Sequence, residues 1–326
     1  MDSTNQGEQD QNPGGEDAAS AAAEGAEERP AAEATANAFA ELDWLPLGQG
    51  VRILAAHEAG LVALEKPVGV LSHPNRTKEQ RRSLLTCPYR LEEQVFEVGE
   101  RAVHLLHRLD SATSGVLLIA LDERLADAVR AAFAEDKVSK TYLAVVKGRP
   151  SPNVGIWTDK LRKARKGGQV RAQTGSGGLP AKTQYRWRRS DPNGVGLSLV
   201  ELLPQTGRTH QLRAQCERHE CPILGDKTYG DFSWNRRVFA VGAPDRLYLH
   251  AARLALEVKF DGQMIRFEVE SPPPGSFAKL MSRDPALRNG WRGELSAQGL
   301  NEPLWRKTQR QLKARPDPLK QFRRGR

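Results

Sequence analysis

Seven consecutive residues, Gly115-Val-Leu-Leu-Ile-Ala-Leu121, carry no polar side chain. A strand apolar on both faces is stable only where both faces are covered, so the run predicts a central strand with packing on either side. Upstream lies His104-Leu-Leu-His-Arg-Leu-Asp-Ser-Ala-Thr-Ser114, which gathers polar groups at the mouth of that strand. Downstream, Asp122 is a predicted N-cap, and Leu125, Ala128, Val129, Ala132 and Phe133 share one face of the helix it would start.

The rest of the chain sets this strand in a sheet. Arg52 to Ala55 and Leu61 to Glu65 are predicted strands about a turn at residues 58–60, and Thr141 to Val146 and Val195 to Leu203 are further ones. Arg208 to Arg218 is a predicted helix. Leu254 to Phe260 and Met264 to Val269 alternate around Asp261-Gly262, a hairpin signal. Strands outnumber helices and often follow one another directly. That indicates an α+β fold: a mixed, mainly antiparallel sheet with helices packed on its faces. The stretch from Leu161 to Gly178 is basic and glycine-rich without periodicity, and is expected to be a surface loop. No internal repeat is present.

Charge divides the chain further. Residues 1–45 hold eleven acidic side chains and one basic one, Arg29, so a chain of net +9 carries +19 beyond residue 45. That first segment has almost no large apolar residue and is expected to be disordered. Residues 304–326 contain nine Lys or Arg and one acid, Asp317, and are expected to form a basic tail. Residues 46–303 would then be the folded domain. So basic a body suits a polyanionic partner, most often nucleic acid. No window approaches the ~18 apolar residues of a membrane-spanning helix. The acidic, alanine-rich start is no secretory signal, and three cysteines are too few for a disulfide framework. The expectation is a soluble cytoplasmic protein.

Three segments carry chemistry. Asp110, followed by Thr113, Ser114 and Gly115, sits in a tight polar turn; on pattern alone it either caps that turn or acts as a working carboxylate. Glu201-Leu-Leu-Pro-Gln-Thr-Gly-Arg-Thr-His-Gln-Leu-Arg213 passes from strand to turn to helix. Its helix start can attract anions, and an arginine there can pair with a buried carboxylate. Lys140-Thr-Tyr-Leu-Ala-Val-Val-Lys-Gly148 puts Tyr142 at a strand start.

Together these pieces resemble the RluA-type pseudouridine synthases, which isomerise uridine in RNA. The matching motifs are Glu65-Lys-Pro-Val-Gly69, His107-Arg-Leu-Asp-Ser-Ala-Thr-Ser-Gly115, Lys140 to Gly148, Gly207-Arg-Thr-His-Gln-Leu-Arg213, Leu224-Gly-Asp-Lys-Thr-Tyr-Gly230 and Leu249-His-Ala251. Each alone is only moderately specific, but all six stand in the family's order between about residues 50 and 271. The resemblance implies the pseudouridine synthase catalytic fold, with Asp110 as catalytic carboxylate and Arg108 as the side chain that fills the stack when the target nucleotide flips out. It further implies that Tyr142 stacks on the uracil and that Arg208 ion-pairs with the aspartate. His107, Thr113, Lys140 and Arg213 are further candidate RNA contacts. It implies no metal and no organic cofactor. The partner would be ribosomal or transfer RNA, with no membrane and no obligate protein partner, the enzyme acting as a monomer. In place of the small N-terminal RNA-binding domain of many relatives stands the acidic segment, and residues 75–100 are unusually charged.

The reaction fits these residue types. Positive charge develops on the ribose as its bond to nitrogen breaks, and a carboxylate can stabilise it or attack. A glycoside or nucleoside hydrolase would want a second carboxylate near Asp110, and no candidate is evident. A non-catalytic RNA-binding factor would not need Asp110, Tyr142 and Arg208 together. His210, Cys216, His219 and Cys221 match no standard zinc spacing. The target RNA and the group that takes the carbon 5 proton are not legible.

Overall fold

The computed structural model describes residues 42–297 apart from 167, 168 and 176. The thirteen strands among them form one sheet. They are β1 Arg52–His57, β2 Leu61–Lys66, β3 Tyr89–Arg90, β4 Val95–Val98, β5 Arg101–Leu105, β6 Ser114–Ala120 and β7 Ser139–Lys147, then β8 Val154–Lys166, β9 Gln169–Thr174, β10 Leu179–Ser190, β11 Leu197–Pro204, β12 Leu249–Phe260 and β13 Gln263–Glu270. The main path runs β3-β4-β5-β6-β12-β7-β11-β10-β8-β9, with β2 joining β1 to β6 and β13 flanking β12. Only the β6–β12 pairing is parallel; the other strand pairs are antiparallel. The α+β expectation holds.

All seven residues of β6 are buried, as the apolar run requires. One face is covered by α1, Glu123–Ala134, whose Leu125, Ala126, Val129 and Ala132 turn inward and whose Asp122 cap accepts from the Leu125 amide at 2.9 Å. Burying a Leu or Val of this kind contributes about 1.5–3 kcal/mol. The other face packs on a cluster that includes Leu64, Leu85, Phe96, Val103 and Leu105. A further core lies between β7, β11 and the helices α2 Gln211–Arg218, α3 Phe232–Ala240, α4 Gly275–Met281 and α5 Pro285–Ala297.

Three expectations change. The stretch 161–178 is no loop: β8 and β9 pair from Leu161↔Thr174 to Lys166↔Gln169, and β8 continues along β10. The arm docks through Leu161, Ala172 and Ala181 against Ala214 and Tyr229. The predicted helix 208–218 starts at Gln211, because His210 takes the left-handed conformation (φ 52°) and the Arg208 amide donates to the Gln211 side chain instead. Leu42 and Leu45 are buried, so the packed body includes residues placed in the acidic segment. The disorder expected of the rest of that segment and the tail from 304 lie outside the described residues.

Candidate active site

One row of the sheet organises the site. Lys66 on β2 is paired with Gly115 on β6, Gly115 with Ala251 on β12, Ala251 with Tyr142 on β7, and Tyr142 with Leu202 on β11. Gly115 has φ +115°, and a Cβ there would lie 2.1 Å from the Ala251 carbonyl oxygen, so only glycine lets β12 approach. Asp110 sits in the turn feeding β6, with the Thr113 amide closing onto its carbonyl at 2.9 Å.

The Asp110 side chain is 29% exposed and accepts a hydrogen bond from Arg213 Nη1 at 2.9 Å. Arg213 also grips Asp226 in a fork, Nε to Oδ2 at 2.7 Å and Nη2 to Oδ1 at 2.9 Å. Burial alone would lower the Arg213 pKa; the hydrogen bonds and charge of Asp226, then those of Asp110, outweigh it and raise the pKa above its usual value. Asp226 Oδ1 further accepts from the Thr228 and Tyr229 amides. Desolvation would raise the Asp226 pKa, but Arg213 and these amides hold it below its ordinary value. With both oxygens committed, Asp226 is a clamp and not a second working carboxylate.

The expected Arg208–Asp110 pair is therefore replaced by Arg213–Asp110. Arg208 is exposed and donates from Nε to the Pro180 carbonyl at 3.0 Å. It precedes the helix, whereas residues 211–216 are all buried, which carries Arg213 inward. Arg213 is accordingly removed from the candidate RNA contacts. So are three others. His107 Nε2 accepts from the Leu118 amide at 3.0 Å while its ring packs on Phe133 at 4.9 Å. Burial, then the Lys140 charge, depresses its pKa to about 3. Lys140 is half-buried with its ammonium 5.8 Å from the same Phe133 ring, and desolvation lowers its pKa. Thr113 is buried and serves the Asp110 turn.

Tyr142 is half-buried between two cores. Burial, then the negative charge of Asp110, raises its pKa above 10, so the phenol stays protonated at neutral pH. Arg108 is exposed, its Nη1 3.2 Å from His73 Nε2. His210 Nε2 stands 3.8 Å from Asp110 Oδ1, while its Nδ1 meets the Tyr229 hydroxyl at 3.1 Å. That hydroxyl also accepts from the Ala172 amide of β9 at 2.6 Å.

Sequence reasoning missed Lys66, Asp226, Tyr229 and His73 as functional neighbours, although all but His73 lie in motifs already singled out. Lys66 is fully buried, its Nζ donating to the carbonyls of Pro67 (3.0 Å), Val70 (2.8 Å) and Ser111 (3.2 Å). Burial lowers its pKa to about 7, with Asp110 opposing the shift and Arg246 adding to it. Its signal in the sequence was its place in the Glu65-Lys-Pro-Val-Gly69 motif, at the end of a mainly apolar strand. Exposed Arg76, Lys78, Arg81 and Arg82 stand on a 3-10 turn just after His73, and Lys160, Arg162, Lys163 and Lys182 are exposed along the β8–β10 arm. No group of three or more potential metal ligands occurs among the described residues, and no described helix is long and apolar enough to cross a membrane.

The site thus offers one partly solvated carboxylate, a buried cation holding it, an aromatic face on the same row and a flanking exposed arginine. Known proteins share these features' framework. A family model described as RNA pseudouridylate synthase matches residues 60–218. An uncharacterised RNA pseudouridine synthase of Haemophilus influenzae is 39% identical over 196 residues, 60% of this chain and 78% of its own. The tRNA pseudouridine synthase C of Pectobacterium carotovorum is 34% identical over 222 residues, 66% of this chain but 57% of its own, so this chain spans little more than half of that relative. The ribosomal large subunit pseudouridine synthase C of Rickettsia conorii is 37% identical over 213 residues, 65% of each chain. The solved structure of Human RNA Pseudouridylate Synthase Domain Containing 1 superposes with a TM-score of 0.53 at 24% identity, covering 75% of this chain and 95% of that one, a likeness of fold. With more than three quarters of the Haemophilus relative matched at that identity, the chain belongs to the RluA-type RNA pseudouridine synthases.

Proposed function

We propose that the protein converts uridines in structured RNA, ribosomal or transfer, to pseudouridine, with Asp110 as the catalytic carboxylate. The observation that carries this reading is the Arg213–Asp110 pair at the mouth of β6, 2.9 Å long and leaving Asp110 29% exposed. A carboxylate fixed by a buried cation is aimed, yet open to a ribose. As the bond between C1′ and N1 breaks, positive charge grows on the sugar, and Asp110 stabilises it or bonds to it. The base stays bound, turns, and rejoins C1′ through C5; the C5 proton leaves and N1 gains one. No water has to be activated, which agrees with Asp226 being fully occupied by Arg213 and two amides.

Tyr142 supplies the stacking face for the displaced uracil. Because its phenol is held protonated by burial and by Asp110, it suits packing and hydrogen-bond donation better than proton abstraction. Arg108 fills the gap the base leaves in the helix. The cations of the 3-10 turn and of the β8–β10 arm contact phosphates, so affinity falls with salt. Cytoplasmic ribosomal or transfer RNA is the fitting substrate pool, acted on by a monomer without a metal or organic cofactor.

The reading is tested with RNA carrying tritium at carbon 5 of uridine. Tritium release that scales with pseudouridine formed is the expected result. Tight RNA binding without release would leave only the non-catalytic reading.

A further inference from the structure

Arg108 is exposed, yet it does not hang free. Its Nη1 lies 3.2 Å from Nε2 of His73, a residue 7% exposed. The His73 Nδ1 lies 3.2 Å from the Pro74 carbonyl, and a carbonyl can only accept. The proton therefore sits on Nδ1, which leaves the Nε2 lone pair for the guanidinium. The ring is fixed in turn: it stacks on Tyr89 at 4.8 Å and 15°, and Tyr89 packs on buried Phe96 at 4.6 Å. The backbone beside it is tied to the catalytic turn, because the neighbouring Ser72 hydroxyl donates to the Leu109 carbonyl at 2.7 Å and accepts from the Leu109 amide at 3.0 Å.

We propose that His73 is a positioning residue that holds Arg108 beside the catalytic turn as a preset wedge for the RNA stack, with Tyr89 and Phe96 as its backing. The proposal deepens the function proposed above and rests on the role of Arg108 there. A free arginine side chain loses most of its rotamer freedom when it is ordered in a gap. One already held near its working position has lost part of that before RNA arrives. The tether works only while the imidazole is neutral, since a protonated ring would turn an N–H towards the guanidinium. The charged groups facing His73 are Arg108 and Glu79; burial, then the Arg108 charge, lowers its pKa, against the Pro74 hydrogen bond and Glu79.

The test uses the full chain and an RNA with 2-aminopurine next to the target uridine, whose fluorescence reports opening of the stack. His73→Phe keeps the stack on Tyr89 but removes the acceptor, and His73→Gln restores an acceptor. His73→Phe is expected to slow opening about tenfold, the lower range for a hydrogen bond to a charged group, and His73→Gln to recover most of the loss. In an Arg108→Ala background His73→Phe should have no further effect. In the free protein, the His73 imidazole pKa read by NMR should rise in Arg108→Ala. Wild-type opening in a folded His73→Phe, or a His73→Phe defect that persists in full without Arg108, overturns the tether alone. Wild-type opening in Arg108→Ala overturns the wedge role of Arg108, and the proposal with it.

Discussion

Replacing Arg213 with methionine should destabilise the fold far more than the same change at Arg208, five residues away in sequence but in a different environment. Arg213 is 8% exposed at the side chain and Asp226 1%, and the substitution removes two of the hydrogen bonds that compensate the buried Asp226 charge. Removing one partner of a buried pair costs about 3–5 kcal/mol. Asp226 keeps the Thr228 and Tyr229 amides, and Asp110 keeps water, so the lower half of that range is expected. For a body of this size that is a fall in Tm of about 6–16 °C, at roughly 2–4 °C per kcal/mol. Arg208 is exposed and bonded to one carbonyl, so Arg208→Met should cost no more than about 1 kcal/mol. Urea unfolding of both variants, followed by thermal scans, gives the comparison. A double change, Arg213→Met with Asp226→Leu, should recover part of the loss, because no buried charge is then left alone. An Arg208→Met variant less stable than Arg213→Met would refute the reasoning, and so would an Arg213→Met cost below about 1 kcal/mol, the ordinary value for a surface pair.

Tyr142→Ala should weaken binding of a flipped-base analogue by about 1–3 kcal/mol while Tyr142→Phe binds it normally; equal affinities for wild type and Tyr142→Ala would remove the stacking role. Lys66 has a folded pKa near 7 against 10.5 unfolded, so between those values the unfolded chain carries a proton the folded one lacks, and stability rises with pH. Lys66→Met should remove a rise of at most about 1.4 kcal/mol per pH unit between pH 7 and 9.5, and parallel pH profiles for the two proteins would contradict this. Gly115→Ala should cost about 2–6 kcal/mol through the positive φ and the overlap with Ala251 together, and unchanged urea unfolding would show that β12 does not approach as described.

Much of this was legible where one residue pattern answers to one local cause. The apolar run Gly115–Leu121 has no polar residue, and all of it but its last residue is buried. Asp261-Gly262 joins β12 to β13 as its turn chemistry required. For Asp110 the crowd of polar residues at the mouth of a dry strand pointed to either a turn cap or a working carboxylate, and only the family resemblance singled out the second. What failed depended on distant partners. Arg208 and Arg213 share one motif, and the choice between them is made by Asp226, which is supplied by another segment and held by its own turn amides. The β8–β9 arm has cations such as Arg162 and Lys163 exposed on consecutive positions, so no inward–outward alternation marks it as strand. His107 and Lys140 were candidate RNA contacts through the family motifs they stand in, but both are engaged with Phe133.

The most direct measurement is single-turnover tritium release from uridine-labelled RNA by Asp110→Asn, with the fold checked by urea unfolding and RNA affinity measured in parallel. The side chain keeps its size and can still accept from Arg213, while the negative charge that would meet the ribose is gone. The catalytic role of Asp110 requires near-normal RNA binding with no isomerisation. Turnover above about a tenth of wild type, a loss of less than ~1.4 kcal/mol in transition-state stabilisation, would contradict it and take the catalytic role away from Asp110.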